Sequence, residues 1–339
     1  MNLCRRTLRG AVLPFFVILL AAGPLFAQRK TTIKLASLVP ESTPWGAAIN
    51  RMAVDWARVT NGEVELIVYH GGVAGTEGDV LRKLNLNQIQ AAIFTSIGLN
   101  SVMPEVMALS YPFLIRNDRE LETVLAKLRP ELDAKIEQNG FVTLAWARAG
   151  WLKIFSRNPV FTPGDLRRQK VGTNPDELQM IQVFKTMGFQ MVPVSMNDAL
   201  VSLNGGMIDA VYQSPITVAG AQLFGIAKNM STLNVAPFMG GIVMNRTAWR
   251  RIPDRHKEKL QEICKGIETE IDGSIGRLEG DAISTMSKYG LIINQAAPQH
   301  EQEWYNDMAG HEKDLVGPVF NRELYQKISA ILAEYRQGR

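Results

Sequence analysis

Between Ile33 and Thr95 the apolar residues switch back and forth between the periods of strand and helix, and a chain that does so has few folds open to it. Ile33 to Leu38 reads as a strand. Pro44 then starts a helix in which Trp45, Ile49, Met52, Trp56 and Val59 recur at spacings of four and three, and Asn61-Gly62 ends it. Val64 to Tyr69 reads as a second strand. A glycine-rich turn reaches Gly78, Val80, Leu81, Leu84 and Ile89 make another helical stripe, and Ala91 to Thr95 is a third strand. Strands separated by helices cannot pair as hairpins, so they lie parallel in an α/β layer.

A second α/β region runs from about Gly150 to Pro237 and opens with a strand from Trp151 to Phe155. Thr162-Pro163-Gly164-Asp165-Leu166 reads as a capped short helix leading to a strand around Val171. Met180 to Met187 is helical, Met191 to Val194 extended, Asp198 to Leu203 helical and Ile208 to Val211 a short strand, while Ile242-Val243-Met244 leads away from this lobe. From His256 to Tyr289 the residues Leu260, Ile263, Ile267, Ile271, Leu278, Ala282 and Met286 recur near the helical period. A helix of about 30 residues spans roughly 45 Å, more than one lobe requires, so it is expected to brace two. Gly290 stops it, and shorter helices around Glu303 and from Leu324 to Tyr335 complete the chain. The expected division is residues 28–149 with 238–255 as lobe I, 150–237 as lobe II, and 256–339 as the bracing helix and C-terminal helices.

Catalytic chemistry is hard to find. His70, His256, His300 and His311 are far apart, and neither His300-Glu301 nor His311-Glu312 extends to a zinc-binding H-E-x-x-H, so each histidine is expected at the surface and no metal is expected. Cys264 lies on the long helical pattern and reads as a buried structural thiol. No G-x-S-x-G elbow occurs. Gly71, Gly72, Gly75 and Gly78 follow a strand, but they lack the G-x-G-x-x-G spacing, and Glu77 would repel a phosphate. Basic residues are scattered among acidic ones, without the stripe that nucleic acid needs. No cofactor, metal or enzymatic activity is expected.

The N-terminus points to export. Arg5, Arg6 and Arg9 precede an apolar run from Ala11 to Phe26, broken by Gly23-Pro24, and Leu25-Phe26-Ala27 suits cleavage that leaves a chain starting near Gln28. Removing the three arginines takes the formal net charge from +4 to +1. Cys4 lies too far upstream to carry a lipid anchor, and no second apolar run reaches spanning length, so the processed chain is expected in the periplasm and not across the membrane.

Five segments in order give the chain a likeness. They are Ser42-Thr43-Pro44-Trp45-Gly46; Val73-Ala74-Gly75-Thr76-Glu77; Pro104-Glu105 with Tyr111-Pro112-Phe113-Leu114; Thr162 to Arg167; and Leu203-Asn204-Gly205-Gly206-Met207-Ile208-Asp209-Ala210. The chain resembles the DctP-like solute receptors of tripartite ATP-independent periplasmic (TRAP) transporters. That resemblance implies two α/β lobes joined by crossing strands, a long helix spanning both, closure on a ligand in the cleft, and delivery to TRAP membrane subunits.

The family fixes a ligand carboxylate with an arginine in the strand after the D-L-K-G turn, and here that position is Gly172. A second arginine position matches Leu152, and the polar pair after the V-D-G motif matches Tyr212 and Gln213. A carboxylate buried without a cation is costly, so these departures favour an apolar or amphipathic solute. The cleft contacts expected by alignment are Leu38, Trp45, Glu77, Thr95, Trp151, Leu152, Gly172, Asn174, Met196, Tyr212, Gln213 and Phe238. Two alternatives stand beside this reading. An organic acid would be held by Arg148 or Lys153, of which strand alternation turns at most one to the cleft; an exported enzyme or scaffold would reuse the fold.

Overall fold

A computed structural model describes residues 30–338 of the chain, and the basic N-terminus, Cys4, Ala27 and Gln28 lie outside the described residues. The first elements are β1 (Thr31–Ser37), α1 (Pro44–Val59), β2 (Val64–Tyr69), α2 (Glu77–Asn85) and β3 (Ala91–Thr95), close to the pattern that predicts them except that α2 ends four residues before Ile89. Local chemistry starts the helices. The Thr43 hydroxyl accepts the Gly46 N–H ahead of α1, and Thr76 and Asp79 form a reciprocal capping box on α2. Two helices that the pattern does not announce follow, α3 (Ser96–Val102) and α4 (Asp118–Gln138), the latter with Pro130 inside it.

The strand expected from Trp151 starts much earlier. It is β4 (Phe141–Ser156), and the division at Gly150 falls inside it. The next elements are α5 (Pro163–Arg167), β5 (Lys170–Thr173), α6 (Leu178–Thr186), β6 (Gln190–Pro193), α7 (Ala199–Asn204), β7 (Ala210–Gln213), α8 (Pro215–Gly220) and β8 (Asn229–Ser231). The last are β9 (Ala236–Asn245), α9 (Arg246–Arg251), α10 (Asp254–Lys288), β10 (Ile292–Asn294), α11 (Pro298–Gly310), α12 (Glu312–Leu315) and α13 (Arg322–Gln337).

The strand order is β2-β1-β3-β9-β4-β7-β5-β6, with β8 on β4 and β10 on β8. One parallel set, β2-β1-β3, carries lobe I and another, β7-β5-β6, carries lobe II. The antiparallel pair β4 and β9 joins them. The amino half of β4 and the carboxyl half of β9 belong to lobe I, and β4 then continues as the partner of β7 and β8. Long strands shared by two lobes make a two-lobed α/β fold with crossing strands.

The long helix ties the lobes by burying different stretches in different cores. Leu260, Cys264, Ile267 and Ile271 pack with Trp56, Met52 and Ile242 of lobe I, and Met286 packs with Phe155, Val211 and Val218 of lobe II. Between these contacts α10 runs along β4. Its carboxylates accept backbone N–H groups of the strand: Glu268 from Trp146 at 3.1 Å, Asp272 from Arg148 at 3.3 Å and Glu279 from Trp151 at 2.8 Å. Strand amides left without a sheet partner are thereby satisfied.

Candidate ligand-binding cleft

The parallel strands β1 and β3 of lobe I end at Ser37 and Thr95, and β5 and β7 of lobe II end at Thr173 and Gln213. Open α/β sheets hold ligands outside such carboxyl ends. The turn that follows β1 is shaped by crowding. A Cβ on Gly46 would stand 2.4 Å from the Pro40 carbonyl oxygen, so the turn packs against α1 only with glycine there, and Trp45 is held beside the strand ends.

A cavity of about 110 Å³ lies between α1, the ends of β1 and β3, the crossing strands and α10. Leu38, Trp45, Thr95 and Phe238 share its wall with Ile93, Ile267 and Ile271, so four expected contacts come together there. Its few polar atoms are unusual. The Trp45 indole N–H is buried and has no acceptor. Arg148 also lines the cavity, with its side chain 12% exposed, and stands within ion-pair range of Asp272 at 3.3 Å, Asp118 at 3.5 Å and Glu122 at 3.7 Å. One guanidinium therefore faces three carboxylates. Burial raises the Asp272 carboxyl above its ordinary range, and Arg148 acts against that shift.

The remaining expected contacts do not line this cavity. Glu77 lies in a smaller recess that shares Leu38, and its two oxygens accept from the Thr95 N–H at 2.6 Å and hydroxyl at 2.8 Å. Burial raises its pKa and those bonds lower it, with a net rise. Leu152 and Tyr212 are buried in the main core, the Tyr212 ring standing edge-on to Phe184 at 5.1 Å. Trp151 donates its ring N–H to Asp118 at 3.0 Å and its backbone N–H to Glu279. A side chain on Gly172 would meet the Ile208 Cδ1 at 2.5 Å, so that position turns into lobe II. Asn174 accepts the Asp176 N–H at 3.0 Å, Met196 packs on the lobe II core, and Gln213 pairs with Lys153 across β7 and β4.

Of the two candidate cations, Arg148 stands in the cavity wall and Lys153 does not. A register shift between Arg148 and Trp151, at Gly150 with φ +96°, changes the alternation of β4. Both side chains consequently find acidic neighbours on α10, Arg148 at Asp272 and Lys153 at Glu279. Lys153 is no free cation: its ammonium donates to the Thr232 carbonyl at 2.9 Å and to Asn234 at 2.7 Å, and burial pushes its pKa down to about 8. The histidines also differ from expectation, for all four are half-buried; His70 bonds Asn50 at 2.8 Å and His256 bonds Glu63 at 2.9 Å. Cys264 is fully buried, its sulfur 3.7 Å from the Met52 sulfur, and burial pushes its thiol up to about 12.

Sequence reasoning passed over Glu177. In Asn174-Pro175-Asp176-Glu177 it reads as part of a polar turn, and its position just past the carboxyl end of β5 was the signal available. It is half-buried, accepts from the Thr173 hydroxyl at 3.1 Å, and its carboxyl is pushed up to about 7 by burial, with Glu77 adding to the rise.

Two lobes that share crossing strands leave a cleft between their strand ends, and the comparisons show which family builds it. Residues 35–315 match the model of bacterial extracellular solute-binding proteins, family 7. The chain belongs to that family, and the periplasmic location expected from its N-terminus is the family's own. It is 26% identical over 204 residues to the 2,3-diketo-L-gulonate-binding periplasmic protein YiaO of Escherichia coli, covering 59% of this chain and 62% of the relative. It is 20% identical over 305 residues to the C4-dicarboxylate-binding protein DctB of Bacillus subtilis, covering 89% and 86%. A TRAP periplasmic solute binding protein of Pseudomonas putida F1, solved with bound D-glucuronate, superposes with a TM-score of 0.78 at 20% identity, covering 88% of this chain and 97% of that one. Another from Sulfurospirillum deleyianum, with bound succinate, has a TM-score of 0.76 at 22% identity, covering 88% and 98%.

Proposed function

We propose that this receptor captures a largely apolar or amphipathic small molecule between lobe I (28–149 with 238–255) and lobe II (150–237), and delivers it unchanged to TRAP membrane subunits. The observation that carries the reading is the cavity wall. Apolar side chains dominate it, and its one cation, Arg148, already stands among three carboxylates. A solute carboxylate arriving there would meet excess negative charge and would be desolvated as well. Burying about 200 Å² of apolar solute instead contributes roughly 5 kcal/mol before ordering costs.

The second reading, an organic acid on Arg148, is favoured by the acids bound to the similar solved proteins and by the place of Arg148 in the cavity wall. Calorimetric titration separates the two. A panel of small dicarboxylates, sugar acids, keto acids, fatty acids and neutral lipids should give binding to chain-bearing compounds, with little dependence on salt. Tight binding of a small hydrophilic acid, lost in Arg148→Ala, would establish the acid reading in its place.

A further inference from the structure

The cavity between α1, the crossing strands and α10 has one wall residue whose polar atom is left over. Trp45 stands half-buried in that wall, and its indole N–H is buried with no acceptor among the described residues. A buried indole N–H ordinarily finds a partner. Trp146, Trp151 and Trp304 do so, donating to Asp133 at 2.9 Å, Asp118 at 3.0 Å and the Phe161 carbonyl at 2.9 Å, and Trp56 shares its N–H with the Cys264 sulfur. Trp45 has nothing comparable, so its N–H costs free energy until an acceptor reaches it, and its ring borders the cavity.

The other polar side chains of the wall are engaged, and they narrow what that acceptor can be. The Thr95 hydroxyl donates to Glu77 at 2.8 Å and accepts the Ile97 N–H at 3.2 Å. Glu268 accepts from Arg129 at 2.8 Å and from the Trp146 N–H at 3.1 Å, and Arg148 stands among its three carboxylates. A buried water makes about three hydrogen bonds. Bonded to Trp45 it would have two hydrogens to place against a wall of Leu38, Ile93, Phe238, Ile267 and Ile271. A solute carboxylate would bring a charge into a cavity that already has Glu268 in its wall and excess acid around its one cation. A neutral oxygen that only accepts escapes both costs.

We propose that the Trp45 indole N–H donates to the solute in this cavity, and that the solute is an apolar molecule carrying a neutral acceptor oxygen, a ketone, ester or ether. The inference rests on the reading of an apolar or amphipathic solute and specifies its polar atom. The volume limits what enters beside that oxygen. At about 110 Å³ the cavity is smaller than the dry cavity of about 150 Å³ that holds benzene, so it takes a short or compact hydrocarbon group.

The test is a double-mutant cycle on the full chain in which one change is made in the solute. A short alkan-2-one and the 2-methylalk-1-ene of the same skeleton differ only in exchanging C=O for C=CH2, and both are titrated against the parent protein and Trp45→Phe. The ketone should lose about tenfold in affinity on Trp45→Phe and the alkene less than about threefold. In the parent protein the Trp45 Nε1–H resonance should move downfield with the ketone and stay in place with the alkene, a readout that stands even if Trp45→Phe does not fold. The alkanoate of the same length should bind about tenfold more weakly than the ketone, or worse. Equal losses for ketone and alkene, an indole resonance that responds alike to both, or an alkanoate as tight as the ketone overturns the assignment and leaves the apolar solute standing. Binding of hydrophilic acids and of neither neutral compound removes that reading as well.

Discussion

Ionising Glu177 in the folded protein places a charge in a half-buried site where Thr173 offers the one hydrogen bond and Glu77 stands opposite. Its carboxyl is therefore pushed from 4.5 up to about 7. The folded state holds this proton more tightly than the unfolded chain does. The stabilisation is fully present below about pH 4.5 and is lost as pH rises through about 7, a change of about 3 kcal/mol. Urea midpoints at about pH 4.5 and pH 8 should show Glu177→Gln gaining on the parent protein by that amount at the higher pH; parallel profiles would refute the assignment. Leu152 lies in the main core, so Leu152→Asp should cost several kcal/mol of stability, read in the same denaturation curves. Arg148→Ala strips the cation from Asp118, Glu122 and Asp272, two of them well exposed, and should cost about 1–2 kcal/mol in stability. Affinity for an apolar solute should change by less than about 1 kcal/mol in a calorimeter, since no solute charge is lost.

Among the elements, the long helix and β4 depend on each other at the register shift. The positive φ of Gly150 opens the strand, and a Cβ there would stand 2.2 Å from a Glu279 oxygen, so the backbone and the carboxylate fit only with glycine between them. Glu279→Ala should cost about 1–3 kcal/mol and speed hydrogen exchange at the Trp151 amide, which loses its acceptor; an unchanged exchange rate there would deny the contact its role. This shift also marks where sequence reading stopped working. Ile49, Met52 and Trp56 on α1, or Leu260, Ile267 and Ile271 on α10, show their burial by spacing alone. The irregularity at Gly150 has no such signature, so the full length of β4 is not legible in the sequence. Within the cleft the four residues that meet in the cavity come from the ends of β1 and β3, from the first turn of α1 with its own sequence motif, and from β9. Glu177 was missed because its burial depends on packing between distant segments, which no local pattern records.

At the scale of the molecule, the crossing strands and α10 are what any change in the cleft must bend. Loading the proposed solute requires the lobes to part, and closure should bring them together about β4 and β9. Solution scattering should therefore show a smaller radius of gyration at saturating solute than without it. An unchanged curve at saturation would mean a rigid cavity and would remove hinge motion from the account.

The position of β9 also fixes the order in which the protein can be completed. It lies between β3 and β4, yet its residues follow the whole of lobe II in the chain. A polypeptide that emerges from a membrane channel amino end first exposes an open edge on β3, with Ala91-Ala92-Ile93-Phe94-Thr95 unpaired, until residue 245 has passed. Lobe II, whose parallel strands β5, β6 and β7 are contiguous, can form in the meantime. Export as an unfolded thread would thus carry an interval of self-association risk whose length is set by the time needed to thread lobe II.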